Sequence, residues 1–306
     1  MDLKDKKILV TGGLGFIGSH TVLALLERGA HIVIVDNLPR ADTKNIDPRI
    51  KFYDFDITSA SLEEVFKNEN PEIVYHFAFN ISLHKSLEED IGHESVKAIS
   101  NLLENCNKYG VKKFILASSG AVYGNPENFP ISETAPIKPV APYGTVKGSV
   151  ENYVKSFHKN HRLNYAILRY ATVYGSGQQG GAMTDYIHKL SSGKQADIWG
   201  DGSKTRDYTY IDDVVKANVL VLGLEDTFKD PVFNVSTSVE TTLNDLYYKI
   251  AELLGKKADP KYLPDRPGEL MRYCLDYSKI KKVLGWESEY NLEKGLKKRL
   301  KEENLI

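Results

Sequence analysis

Short apolar runs alternate with amphipathic stretches through the first half of the chain. Residues 7–11, 31–35, 50–53, 73–77, 114–117 and 166–170 are almost unbroken in apolar and β-branched side chains, which predicts strands covered on both faces. Between them the period is helical. Residues 16–28 close on Gly29 and residues 91–109 on Gly110, the residue type that tolerates the left-handed backbone at a helix end. Residues 61–67 open with Ser61 and carry Glu64 three positions later, the spacing of a capping box. Alternating strand and helix predicts βαβ units, a parallel sheet and right-handed crossovers.

Beyond Tyr170 the pattern loosens, and glycines crowd residues 175–181 and 200–202. Helices are predicted at 182–191, 212–223, 243–254, 278–284 and 292–300, with short strands near 196–199 and 232–235. The expectation is an α/β chain: a doubly wound parallel sheet over residues 1–170 and a smaller α/β lobe over 171–306. Part of 205–236 is expected to return to the sheet domain.

Composition narrows the class. The 306 residues are 42% hydrophobic and 26% charged, a globular mix that gives no case for bulk disorder. Forty basic residues against 41 acidic ones leave a net charge of −1, so bulk charge suggests neither a nucleic-acid partner nor a membrane surface. Two distant cysteines, Cys106 and Cys274, cannot build a disulfide framework, and a reducing compartment is expected. The N-terminus runs directly into a strand, and no apolar run approaches the ~20 residues of a membrane span. A cytoplasmic protein is expected. The eight histidines show no zinc spacing, so no metal site is expected. His76, Trp199 and Trp286 read as packing residues.

Three stretches carry chemistry. Thr11-Gly12-Gly13-Leu14-Gly15-Phe16-Ile17-Gly18 follows the first strand and opens the first helix. Its glycines suit a tight turn, a pyrophosphate close to the backbone and a helix packed hard on its strand. The amides of the helix N-terminus then face the phosphates. Asp36 ends the second strand about 20 residues on, where a carboxylate accepts hydrogen bonds from an adenosine ribose and repels a 2′-phosphate. NAD is therefore favoured over NADP, and Arg40 reads as a loop charge. Asp56 and Ile57 follow the third strand, where they either border an adenine or cap a turn.

In the second stretch, Pro142 suits the first position of a helix, which sets Tyr143 and Lys147 four apart on one face. A phenol of pKa ~10 is a poor base; bringing it to about 7 takes roughly 4 kcal/mol, which a neighbouring ammonium and an oxidised nicotinamide can supply together. Ser118 and Ser119 lie just past a predicted strand, at the carboxyl edge where parallel sheets bind ligands.

The glycine loop, Asp36, Ser118-Ser119 with Tyr123-Gly124, and Tyr143 with Lys147 occur in the order of the extended short-chain dehydrogenase/reductase family. The chain resembles its nucleotide-sugar 4-epimerases in particular. Leu168-Arg169-Tyr170-Ala171-Thr172, Thr205-Arg206-Asp207-Tyr208, Tyr210-Ile211-Asp212-Asp213, Arg266-Pro267-Gly268-Glu269 and Leu284-Gly285-Trp286 extend the likeness over nearly the whole chain.

The resemblance implies a Rossmann-type fold and an NAD-dependent inversion at C4 of a UDP-hexose, UDP-glucose/UDP-galactose or the N-acetyl forms, through a 4-keto intermediate. It makes Ser119, Tyr143 and Lys147 the catalytic set. It implies cofactor contacts from Gly12, Gly15, Phe16, Ile17, Gly18, Asp36, Asn37, Asp56, Ile57, Phe77, Ala78, Tyr143, Lys147 and Tyr170. Substrate contacts would come from Ser119, Tyr143, Thr172, Arg206, Arg266 and Tyr273. It also implies a homodimer through the helices near 91–109 and 143–159. Whether Tyr273 or Cys274 lines the sugar pocket stays open.

The chain departs from the pattern at Thr172, where the family often has Asn, at Phe79-Asn80, and in the 175–178 loop. Related dehydratases place Asp-Glu directly after the active-site Thr or Ser; Gly120 and Ala121 stand there instead. This favours epimerisation over dehydration. The alternatives are another NAD(P)-dependent sugar-nucleotide enzyme, a dehydratase or reductase, and a non-catalytic NAD-binding sensor.

Overall fold

Strand β1 (Lys7–Thr11) enters the interior within one residue and leads through the glycine loop into helix α1 (Phe16–Leu26). A computed structural model describes residues 2–37, 46–79, 92–265 and 270–306. The chain continues through β2 (His31–Asp36), β3 (Lys51–Asp54), α2 (Leu62–Glu69), β4 (Ile73–His76), α3 (Gly92–Lys108), β5 (Lys113–Ser119), α4 (Pro142–His161) and β6 (Asn164–Tyr170). Then come β7 (Thr172–Tyr174), α5 (Ala182–Ser191), β8 (Asp197–Trp199), β9 (Thr205–Tyr210), α6 (Ile211–Leu220) and β10 (Val232–Val235). The last elements are β11 (Glu240–Thr242), α7 (Leu243–Leu253), β12 (Lys261–Leu263), α8 (Ser278–Leu284) and α9 (Leu292–Glu302).

The main sheet has the order β3-β2-β1-β4-β5-β6-β10, and its four pairings from β3 to β5 are parallel. The order reverses direction beside β1, the switch point where doubly wound sheets open a crevice. Ile8, Leu9, Val10, Ile34, Val74, Ile115 and Leu116 are buried, as strands covered on both faces require.

The chain divides into two units. Unit 1 comprises residues 1–124, 136–169 and 215–233; unit 2 comprises 125–135, 170–214 and 234–306. In unit 1 the end of α6 is tied in by buried hydrogen bonds: Tyr75 Oη donates to the Asn218 carbonyl at 2.7 Å, and Asn218 Nδ2 to Thr21 Oγ1 at 2.8 Å. Unit 2 holds the three-stranded sheet β11-β9-β7 and the pair β12-β8.

Two local expectations need correction. Ser61 does not cap α2: it already has helical angles (φ −61°, ψ −15°), and its side chain makes no capping bond. The turn at 56–59 starts the helical path earlier, with the Ser59 amide on the Asp56 carbonyl at 2.9 Å, so the extended geometry an N-cap needs is absent. Strands β7, β9, β11 and β12 were not expected. Strand β9 reads Thr-Arg-Asp-Tyr-Thr-Tyr, a polar pattern, yet Asp207 and Thr209 are fully buried.

Candidate active site

The glycine loop is shaped by contacts that exclude a side chain. Gly12 has φ +68°, and a Cβ there would lie 2.5 Å from the Ala78 amide nitrogen. A Cβ on Gly18 would lie 2.2 Å from the Gly12 carbonyl oxygen, so glycine at that position lets α1 sit against the loop. Gly15 is the N-cap of α1, and the first turn of that helix carries no acidic side chain. Its amides and dipole suit an anion. Gly12, Gly15 and Gly18 thus form one close-packed cradle at the head of α1, with Gly12 against the Phe77–Ala78 backbone and the Phe77 amide bonding the Thr11 carbonyl at 2.9 Å. These residues fit a dinucleotide pyrophosphate.

Asp36 closes β2 beside the cradle, where its Oδ2 accepts the Leu14 amide at 3.1 Å. Asn37 Nδ2 donates to Asp56 Oδ2 at 2.8 Å. Burial pushes the Asp56 carboxyl up, but the Thr58 amide and hydroxyl and the Asn37 amide outweigh it and hold it below its ordinary value. Asn101 Nδ2 fastens the same turn by donating to the Ile57 carbonyl at 2.7 Å. Arg40 lies outside the described residues.

Ser119, Tyr143 and Lys147 also belong to unit 1. Ser119 ends β5 in extended conformation, and its Oγ accepts the Ala121 amide at 3.2 Å at the head of a 3-10 turn, Gly120–Tyr123. Pro142 opens α4. Gly144 lets the turn approach, since a Cβ there would lie 2.4 Å from the Ala121 carbonyl. Tyr143 is partly buried; burial raises its phenol above 10, and a hydrogen bond with Ser119 acts the other way. Lys147 is buried, with Nζ donating to the Ala117 carbonyl at 2.8 Å, 3.0 Å from the Phe79 ring centroid and 6.0 Å from that of Tyr143. Burial drives its pKa well down, opposed by the charge of Glu151. The protein groups alone therefore do not produce the lowered phenol pKa that the spacing of Tyr143 and Lys147 suggests.

His76 supports this region as a neutral packed ring. Its Nδ1 is 2.7 Å from Thr11 Oγ1, and burial, then the Lys147 charge, push its pKa down to about 3. Among the described residues no group of three or more His, Cys, Asp and Glu is placed to hold a metal ion.

Tyr170, Thr172, Arg206 and Tyr273 belong to unit 2. Thr172 pairs with Tyr208 across the parallel β7–β9 ladder. Arg206 Nη1 donates to the Thr205 and Leu270 carbonyls at 2.7 and 2.9 Å. Tyr273 is buried, and its Oη donates to the Tyr170 carbonyl at 3.1 Å. Arg266 lies outside the described residues. Asp207, to which the sequence pattern assigned no role, ties these segments together. It accepts the Thr237 amide and hydroxyl, the Ser238 amide and, at 3.3 Å, the Leu275 amide. Burial raises it to about 6 against those donors. The Cys274 thiol is pushed up to about 12 by burial and then by Asp207.

Glu151 and Arg169 also went without a role. The available signal was spacing: Glu151 follows Lys147 by four and Tyr143 by eight, a carboxylate on the buried face of α4.

A sheet of this order, a glycine cradle at its switch point and a Ser/Tyr/Lys set at the end of β5 define an NAD-binding chain of the extended short-chain dehydrogenase/reductase class. The chain belongs to the NAD dependent epimerase/dehydratase family, whose sequence profile it matches over residues 8–236. It is 34% identical to the UDP-glucose 4-epimerase of Mycolicibacterium smegmatis, covering 95% of this chain and 96% of that one. The crystal structure of Thermotoga maritima UDP-glucose 4-epimerase with UDP-glucose superposes with a TM-score of 0.93 at 38% identity, over 98% of this chain and 100% of that one. The UDP-N-acetylglucosamine 4-epimerase of Methanobrevibacter ruminantium, in complex with UDP-N-acetylmuramic acid, gives 0.91 at 33% identity, over 97% and 98%.

Proposed function

We propose that the chain is a UDP-sugar 4-epimerase that inverts C4 of a UDP-hexose through a 4-keto intermediate. The observation that carries this reading is the Ser119–Tyr143–Lys147 set beside the glycine cradle, followed by Gly120 and Ala121 in the 3-10 turn. Neither of those two residues can move a proton, which favours plain epimerisation over loss of water. In this reading Tyr143 takes the proton of the 4-hydroxyl, and Ser119 hydrogen-bonds that oxygen. NAD, when bound, would supply the reversible hydride acceptor that inversion at C4 requires. Lys147 holds the nicotinamide ribose, and together with an oxidised nicotinamide it stabilises the Tyr143 phenolate against the rise that burial imposes. Thr172, Arg206 and Arg266 bind the substrate, the two arginines suiting its diphosphate. Affinity placed on the nucleotide leaves the keto sugar loose enough to turn over.

The bond from Tyr273 to the Tyr170 carbonyl favours Tyr273 rather than Cys274 as the group beside the sugar. A fixed ring there restricts the enzyme to UDP-glucose and UDP-galactose. A homodimer through α3 and α4 and a cytoplasmic location complete the reading. Among the described residues no helix is long and apolar enough to cross a membrane.

The test is incubation with UDP-glucose, UDP-galactose, UDP-N-acetylglucosamine, UDP-glucuronate and the dTDP-hexoses, with product stereochemistry read by NMR. Inversion at C4 of a UDP-hexose without net NADH formation is expected. Elimination of water or net redox turnover would contradict the reading.

A further inference from the structure

We propose that Glu151, together with Arg169, is a positioning pair that holds the Ser119 segment in register with Tyr143 and Lys147. The proposal rests on the catalytic reading of those three residues. The Glu151 side chain is completely buried and saturated with donors. Its Oε1 accepts Ser118 Oγ at 2.6 Å and Arg169 Nε at 2.9 Å, and its Oε2 accepts Arg169 Nη2 at 2.5 Å. Lys155 stands 3.6 Å from the same Oε2. Arg169, itself 2% exposed, turns its Nη1 to Tyr123 Oη at 2.7 Å. Ser118 directly precedes Ser119, and Tyr123 ends the 3-10 turn that follows it. The pair therefore holds the chain on both sides of Ser119, Glu151 at Ser118 and Arg169 at Tyr123.

Helix α4 fastens this segment at successive turns. Lys147 holds the Ala117 carbonyl, and one turn on Glu151 holds Ser118 and, through Arg169, Tyr123. A buried ion pair is a poor source of net stability, because desolvation consumes most of its Coulomb energy and an apolar pair of equal volume does as well. Its two-point, directional geometry does something an apolar pair does not: it fixes where the strand end lies along the helix. A displacement of about 1 Å in a reacting group can cost about a hundredfold in rate, which is the scale of error this clamp prevents.

The experiment uses the full chain with bound NAD. In Glu151→Leu/Arg169→Met both members of the buried ion pair leave together, while Ser118→Ala keeps in place the Glu151 charge that opposes the downward shift of Lys147. Ser118→Ala removes one hydrogen bond and nothing else. The double variant should remain folded, retain NAD, keep KM for the UDP-hexose within about threefold and lose kcat by tenfold or more. Ser118→Ala should lower kcat by about threefold at unchanged KM. Amide hydrogen exchange over residues 117–124, measured by mass spectrometry, should accelerate in both. Wild-type kcat and wild-type exchange in both variants would overturn the proposal, as would a rise in KM at unchanged kcat. Tyr143→Phe in the same assay separates the two ideas. If it stays active, the catalytic reading fails, while the exchange rates still report whether Glu151 and Arg169 hold the segment.

Discussion

His76 should make the sheet domain sensitive to acid in a measurable way. The ring is 1% exposed at the end of β4, with Nδ1 2.7 Å from Thr11 Oγ1 and the Phe79 and Phe114 rings 4.8 and 6.2 Å away. Its pKa in the fold is about 3, lowered by burial and then by Lys147, against 6.5 for a free histidine. The unfolded chain therefore takes up a proton below 6.5 that the folded chain refuses until about 3. The stability held by the neutral ring is fully present above 6.5 and is lost as pH falls toward 3. At ~1.4 kcal/mol per pH unit, moving from pH 7 to 5 removes about 2 kcal/mol through this one group. His76→Gln keeps an acceptor for Thr11 and abolishes the titration. Urea unfolding at both pH values, at equal NAD, should show wild type losing about 2 kcal/mol more than the variant. Equal losses in the two proteins would show that the buried ring is not a source of acid sensitivity.

Three further outcomes follow from the site. Gly18→Ala should leave the protein folded but without bound NAD, because a Cβ 2.2 Å from the Gly12 carbonyl forces α1 off the loop; nucleotide released on heating and quantified by chromatography checks this. Asp36→Ala should lose NAD affinity and bring it close to that for NADP, since the carboxylate that meets the Leu14 amide is gone; titration with both dinucleotides measures the ratio. Tyr273→Ser should raise turnover of UDP-N-acetylglucosamine relative to UDP-glucose. Wild-type turnover of the two at equal rates would remove Tyr273 as the restricting group.

The sheet and the cradle were readable because their sequence signals are local. Strands β1, β2, β4 and β5 are buried on both faces, so they appear as apolar runs, and the loop glycines are required by contacts a side chain cannot share. Pro142 likewise fixed the phase of α4 and put Tyr143 and Lys147 on one face. Features that depend on distant partners were not readable. Asp207 is a polar residue in a polar stretch, and its burial makes sense only once Thr237, Ser238 and Leu275 come to it from far along the chain. Glu151 and Arg169 are similar: each alone resembles a surface charge, and only the fold pairs them. Ser61 had the right residue type for a cap but the wrong backbone angles, which depend on the turn before it.

A UDP-sugar 4-epimerase that works as proposed takes hydride from C4 and returns it to C4 within one active site. The direct measurement is proton NMR of the reaction in D₂O, starting from UDP-galactose or UDP-glucose with no added cofactor. Inversion at C4 is expected, with protium retained there and no accumulating NADH. Deuterium at C4 of the product, or NADH rising steadily without inversion, would contradict it.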